Sequence, residues 1–127
     1  MSFAHETDGL SNRVIGLALN LRRHLGPGLL ESAYEECLCW ELREAKLPHR
    51  RQVALPVVYQ SVRLDCGYRM DLVIDDQLVI KIKAVERLLP LREAQMLTYL
   101  RLSGFRAGLL MNFNTVALRD GLRRLVL

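Results

Sequence analysis

Apolar residues recur at helical spacing near both ends of the chain and at alternating spacing through its middle. In "LSNRVIGLALNLRRHL", residues 10–25, Val14, Leu17, Ala18, Leu21 and Leu25 share one helical stripe, and Gly26 supplies the stop. "GPG" then forces a turn. A second helix is predicted over residues 29–45, with Leu30, Ala33, Tyr34, Cys37, Leu38 and Leu42 facing the core and Glu31 in its first turn. "RQVALPVVYQ" reads as a strand broken by Pro56, which argues for an edge position. "SVRLDCGYRMDLVID" and "QLVIKIKAV" read as two further strands joined by a tight loop. Pro90 opens and Gly104 closes a third amphipathic helix over residues 90–103. "FRAGLLMNF" is another strand, and Asn114 or Thr115 is placed to cap a final helix through residue 125. The pattern contains no repeat or interdomain linker, so one domain over residues 1–127 is expected.

The central pair of strands carries the most information. Leu64, Cys66, Tyr68, Met70, Leu72 and Ile74 alternate with Arg63, Asp65, Arg69 and Asp71, giving one core face and one polar face. Leu78, Ile80, Ile82 and Ala84 continue the apolar set, which leaves Lys81 and Lys83 on the opposite side. A three-residue loop of Asp75, Asp76 and Gln77 pairs Ile74 with Leu78 and puts Asp71 opposite Lys81. A two-residue loop would break both apolar stripes. Two ammonium groups therefore share a patch with a carboxylate. On pattern alone this is a solvated sheet face with a cross-strand ion pair, or lysines guarding an edge strand.

Half of the residues are hydrophobic and a quarter charged, as in an ordinary globular chain of 127 residues. No apolar run approaches the roughly 18 residues of a membrane span, and "MSFAHETDG" lacks the features of an export signal, so a cytoplasmic protein with no membrane partner is expected. Cys37, Cys39 and Cys66 are an odd set, read as reduced thiols; the C-x-C pair has no second Cys or His pair to complete a zinc site. Net charge is +4, and fifteen of the eighteen basic residues are arginine. Arginine forks onto phosphate oxygens, so the charge permits a polyanionic partner without establishing one.

"GLLESAY", residues 28–34, is a literal G-x-x-E-x-x-Y. Together with "RLDCGYRMDLVI", "KAVE", "EAQMLTYL" and "LLMNFN" it resembles the GxxExxY protein family, a group placed in the PD-(D/E)XK nuclease superfamily, over residues 14–124. The resemblance implies an α/β fold with a restriction-endonuclease-like core, a central mixed sheet flanked by helices. It implies metal-dependent hydrolysis of phosphodiester bonds in DNA or RNA, by direct attack of water, with Mg2+ or Mn2+ as cofactor. Asp71 matches the motif aspartate that ligates metal, and Lys83 the motif lysine that orients water and offsets charge on the phosphate. Glu31 resembles the helical acid of the branch related to recombination nucleases, Gln95 and Tyr99 reproduce that branch's Q-x-x-x-Y, and His24 stands where it often carries a histidine. The Ile82 carbonyl would complete the metal shell. Each has a structural alternative: Glu31 at the positive end of its helix contributes roughly 0.3–1 kcal/mol, Gln95 and Tyr99 suit surface and packing positions, and His24 suits a helix end.

One position departs from the pattern. Family members resemble "VELKAVE" where this chain reads "IKIKAVE", so Lys81 occupies the place of a metal-binding acid. Hard cations prefer oxygen ligands and need acids to balance their charge. The expectation is thus a nuclease-like protein with weak metal affinity, inactive or impaired as written, with DNA or RNA as partner. The alternative is a non-catalytic nucleic-acid-binding or regulatory protein on the same fold. A homo-oligomer is compatible with the sequence.

Overall fold

The computed structural model describes residues 3–127, with side chains from Gly9 onward. Helix α1 (Phe3–Leu25) buries Leu10, Val14, Ala18 and Leu21 along one stripe and ends where Gly26, at φ 72, donates its N–H to the Arg22 carbonyl. Helix α2 (Glu31–Glu44) turns Tyr34, Leu38 and Leu42 inward at i, i+4 spacing. It starts later than its apolar pattern suggests. Leu30 lies outside the helix in extended backbone and is 76% exposed, so it is not a core residue.

Strands β1 (His49–Ala54), β4 (Arg69–Ile74), β5 (Leu78–Lys83), β6 (Ala107–Asn112) and β7 (Leu122–Val126) form a five-stranded sheet in the order β1-β4-β5-β6-β7. The β5–β6 pair is parallel and the others antiparallel, so the sheet is mixed. Helix α3 (Pro90–Ser103) connects the parallel pair, with proline in its first turn and Gly104 at φ 84 as a left-handed cap. Residues of α1 and α2 form one core with Leu72, Ile80, Ile82 and Leu109. Met96 and Leu100 of α3 form another with Val73 and Val79. The result is the expected α/β architecture, a central mixed sheet flanked by helices.

The three-residue loop is present: Ile74 pairs with Leu78 and Leu72 with Ile80, and Gln77 donates its N–H to the Ile74 carbonyl at 3.0 Å. Four expectations need correction. The polar face of β4 and β5 is polar only near its end, because α3 covers Val73 and Val79 and a sheet with helices on both sides is apolar on both. The strand through Leu64, Cys66 and Tyr68 is interrupted at residues 65–68. Its first part is β3 (Val62–Leu64), which pairs only with β2 (Val57–Tyr59), so those three residues are exposed rather than core. Pro56 lies between β1 and β2, dividing one predicted strand into pieces of two sheets, although β1 does take an edge. The final helix does not form. A short 3-10 turn (Leu118–Gly121) leads into β7, which satisfies the otherwise bare edge of β6. Leu118, Leu122 and Leu125 fit a helix in spacing, but a glycine interrupts them and pairing with β6 outweighs local periodicity.

Candidate functional site

The site begins where β4 parts from both neighbours. Its ladder with β5 ends at Leu72–Ile80, and its ladder with β1 skips the position where Gln52 faces Asp71. Gln52 has φ 49, a left-handed conformation costly for a side chain of its type. Backbone partners are lost on both sides, and side chains replace them. The Ile82 N–H donates to Asp71 Oδ2 at 2.7 Å, and the Ala84 N–H donates to Glu31 Oε2 at 3.0 Å. Two acids thus take up alternate amides at the end of β5 and just beyond it, which β4 no longer reaches.

The G-x-x-E-x-x-Y segment sets Glu31 in place. Gly28, at φ 98, completes the turn between the helices. The Tyr34 hydroxyl donates to the Gly26 carbonyl at 2.6 Å and accepts the Leu29 N–H, while its ring stacks on Phe113 at 4.5 Å. Tyr34 therefore ties the turn to the core, and Glu31 starts α2 facing the end of β5. Asn112, fully buried at the end of β6, holds Val85 by its N–H and carbonyl at 3.0 and 2.8 Å. The chain leaving Lys83 is fixed from both sides.

The acidic side of the site is a cleft bounded by Glu31, Ser32, Glu35, Gln52, Asp71 and Ile82. Because the Lys83 carbonyl accepts from the N–H of Phe113, the residue after β6, the Ile82 carbonyl leaves on the other side, toward Asp71. Glu35 is buried and bound by Arg51 Nη2 and by Gln52 Nε2, each at 2.8 Å. The sequence reading missed Glu35 and Gln52. An E-x-x-x-E spacing on α2 was a signal for the first, whereas Gln52 is found only through the strand register.

The basic side is walled by Lys81, Lys83, Arg92, Gln95 and Tyr99. Lys81 Nζ lies 3.4 Å from Asp71 Oδ1 and 5.9 Å from the centre of the Tyr99 ring, an ion pair backed by a cation–π contact. Arg92, also not anticipated, donates to Gln95 Oε1 at 3.0 Å. Burial holds the Lys83 ammonium below its usual pKa, and the charges of Lys81 and Arg92 lower it further, against Glu31 and Asp71. Positive charge is in excess on this side.

Asp71, Lys81, Lys83, Gln95 and Tyr99 thus converge, with Glu31 and Ile82 in the adjoining cleft. His24 is not brought to either. It sits among Leu21, Leu25, Cys37 and Trp40 between α1 and α2, with Nδ1 against the Asn20 carbonyl at 2.9 Å.

The donor set does not suit a divalent metal. Among the described residues no three His, Cys, Asp or Glu side chains converge at ligand spacing. Asp71 Oδ1 faces the Lys81 ammonium and the Gln52 amide, at 3.4 Å each, and its other oxygen is held by Ile82. A dication about 5 Å from an ammonium is repelled by several kcal/mol even at an effective dielectric of about 20.

A family model described as the PD-(D/E)XK nuclease superfamily matches residues 8–125. No curated protein and no solved structure matches the chain.

Proposed function

The chain belongs to the PD-(D/E)XK nuclease superfamily, and on that premise we propose that it is a nuclease-like protein that binds DNA or RNA with its hydrolytic activity impaired. The observation that carries this reading is the Lys81–Asp71 pair at 3.4 Å. An ammonium stands beside the carboxylate that the superfamily pattern assigns to Mg2+ or Mn2+, at the position where the GxxExxY resemblance places an acid. That Lys83, Gln95 and Tyr99 line one cleft with Lys81 and Arg92 supports a phosphate-facing role for it, while Asp71 and Glu31 serve the backbone of β5 and the segment after it.

The commitment of these acids to Ile82 and Ala84 favours a second form of the reading, a wholly non-catalytic binding protein. Fluorescence anisotropy with labelled oligonucleotides at several salt concentrations, run beside cleavage assays with Mg2+, Mn2+ or chelator, tests both. Binding that weakens with salt is expected. Slow cleavage abolished by chelator supports impairment, and none supports the non-catalytic form. Rapid metal-dependent cleavage contradicts both, as does the absence of salt-sensitive binding.

A further inference from the structure

A second recess opens on the far side of Tyr99. It lies between α3 and the β2–β3 hairpin, encloses about 410 Å³, and has Tyr68, Tyr99, Val57, Leu91 and Leu102 in its walls. Tyr68 and Tyr99 meet edge to face, with ring centres 6.0 Å apart, and Tyr68 is 45% exposed, so the pair leaves aromatic surface open to the groove. The hairpin pairs with no strand of the main sheet and carries exposed Val58, Tyr59, Val62 and Leu64.

An apolar groove alone accepts many partners, but this one has a charged end. Gln95 and Tyr99 line both the groove and the basic cleft, so the aromatic slot runs directly into Lys81, Lys83 and Arg92. The Lys81 ammonium lies against the ring of Tyr99 itself. Aromatic faces beside clustered cations match a ligand that carries flat, unstacked rings on an anionic backbone. A duplex keeps its bases inside the helix and offers the groove nothing to stack. An apolar protein segment would have no use for the cations.

We propose that the groove between α3 and the β2–β3 hairpin is a base-stacking slot for single-stranded nucleic acid, with the strand's phosphates on the Lys81, Lys83 and Arg92 cluster. This rests on the nucleic-acid reading of the site and adds to it the strand state of the ligand. Tyr68, which no sequence motif singled out as a binding residue, becomes a specificity-determining side chain.

The test is fluorescence anisotropy with one labelled single strand and its matching duplex, against the unaltered chain, Tyr68→Ala, Tyr68→Phe, Tyr68→Leu and Lys83→Gln, with size-exclusion chromatography of each protein. The unaltered chain should favour the single strand. Tyr68→Ala and Tyr68→Leu should each weaken that binding by roughly 5- to 100-fold, leaving duplex binding and the salt slope unchanged. Tyr68→Phe should bind as the unaltered chain does, and Tyr68→Leu separates loss of stacking from loss of packing. Lys83→Gln should weaken strand and duplex together and reduce the salt slope by about one phosphate contact. Salt-sensitive binding with equal affinity for strand and duplex, indifferent to Tyr68→Ala and Tyr68→Leu, overturns the slot and leaves the nucleic-acid reading standing. No salt-sensitive binding to either overturns the nucleic-acid reading beneath it. A dimer that Tyr68→Ala dissociates, with strand binding unchanged, assigns the groove to a second copy of the chain instead.

Discussion

Lys81 Nζ lies 3.4 Å from Asp71 Oδ1, and the two side chains are only 23% and 14% exposed. The pair is worth more than a surface ion pair because Asp71 also closes a gap in the sheet through the Ile82 N–H. Asp71→Ala removes a charged acceptor from that amide and leaves Lys81 without its carboxylate partner. The expected cost is about 1.5–3 kcal/mol in urea denaturation. Asp71→Asn, which keeps an acceptor oxygen, should cost clearly less; equal losses would show that charge rather than the hydrogen bond matters.

Lys83 gives the stability curve a direction. Its folded-state pKa is lowered by burial, by Lys81 of its own strand and by Arg92 of α3, with Glu31 of α2 and Asp71 of β4 opposing. Between that lowered value and the ordinary lysine value of about 10.4, the unfolded chain binds a proton that the folded chain has released. Stability attributable to this group therefore rises with pH across the window, and its destabilising effect is fully present below it. Lys83→Gln should be more stable than the unaltered chain at neutral pH, with the difference shrinking in alkaline solution. Thermal melts from neutral to alkaline pH read this directly; a difference that grows with pH would have the wrong sign.

Much of this arrangement was legible because strand parity is unforgiving. Two apolar stripes with lysines between them fixed a three-residue loop, and with it the juxtaposition of Asp71 and Lys81. Pro90 and Gly104 likewise bounded α3, since each removes an option the helix would otherwise have. The alternation through Leu64, Cys66 and Tyr68 misled, because it begins before the chain enters the main sheet at β4. Leu118, Leu122 and Leu125 misled in the opposite sense, being helical in spacing but recruited in part to an edge that β6 needed covered. Gln52 was invisible because its role comes from facing Asp71 across a skipped pair, which no local pattern records.

The seating of α3 on the sheet depends on Gly108. A Cβ there would meet Met96 Sδ at 2.5 Å, and Met96 lies between Arg92 and Tyr99 on the helix that presents Gln95. Gly108→Ala should cost about 1–3 kcal/mol as overpacking. Combining it with Met96→Val should recover part of that loss, a coupling that a double-mutant cycle in urea measures. Strict additivity of the two changes would mean that they do not share this contact.

The Lys81 ammonium, 3.4 Å from Asp71 Oδ1, opposes a divalent ion at that carboxylate. Lys81→Glu exchanges it for a carboxylate two positions before Lys83 and lowers the net charge from +4 to +2. With Asp71 and Glu31, that would gather oxygen donors of the kind magnesium and manganese accept. Metal binding only to the folded state should also raise the melting temperature of this variant. The decisive measurement is calorimetric titration of Mn2+ into the unaltered chain and into Lys81→Glu. Saturable binding in the variant, at least tenfold stronger than in the unaltered chain (about 1.4 kcal/mol), is the predicted result. Equal affinity in the two proteins, or no binding in the variant, would contradict it.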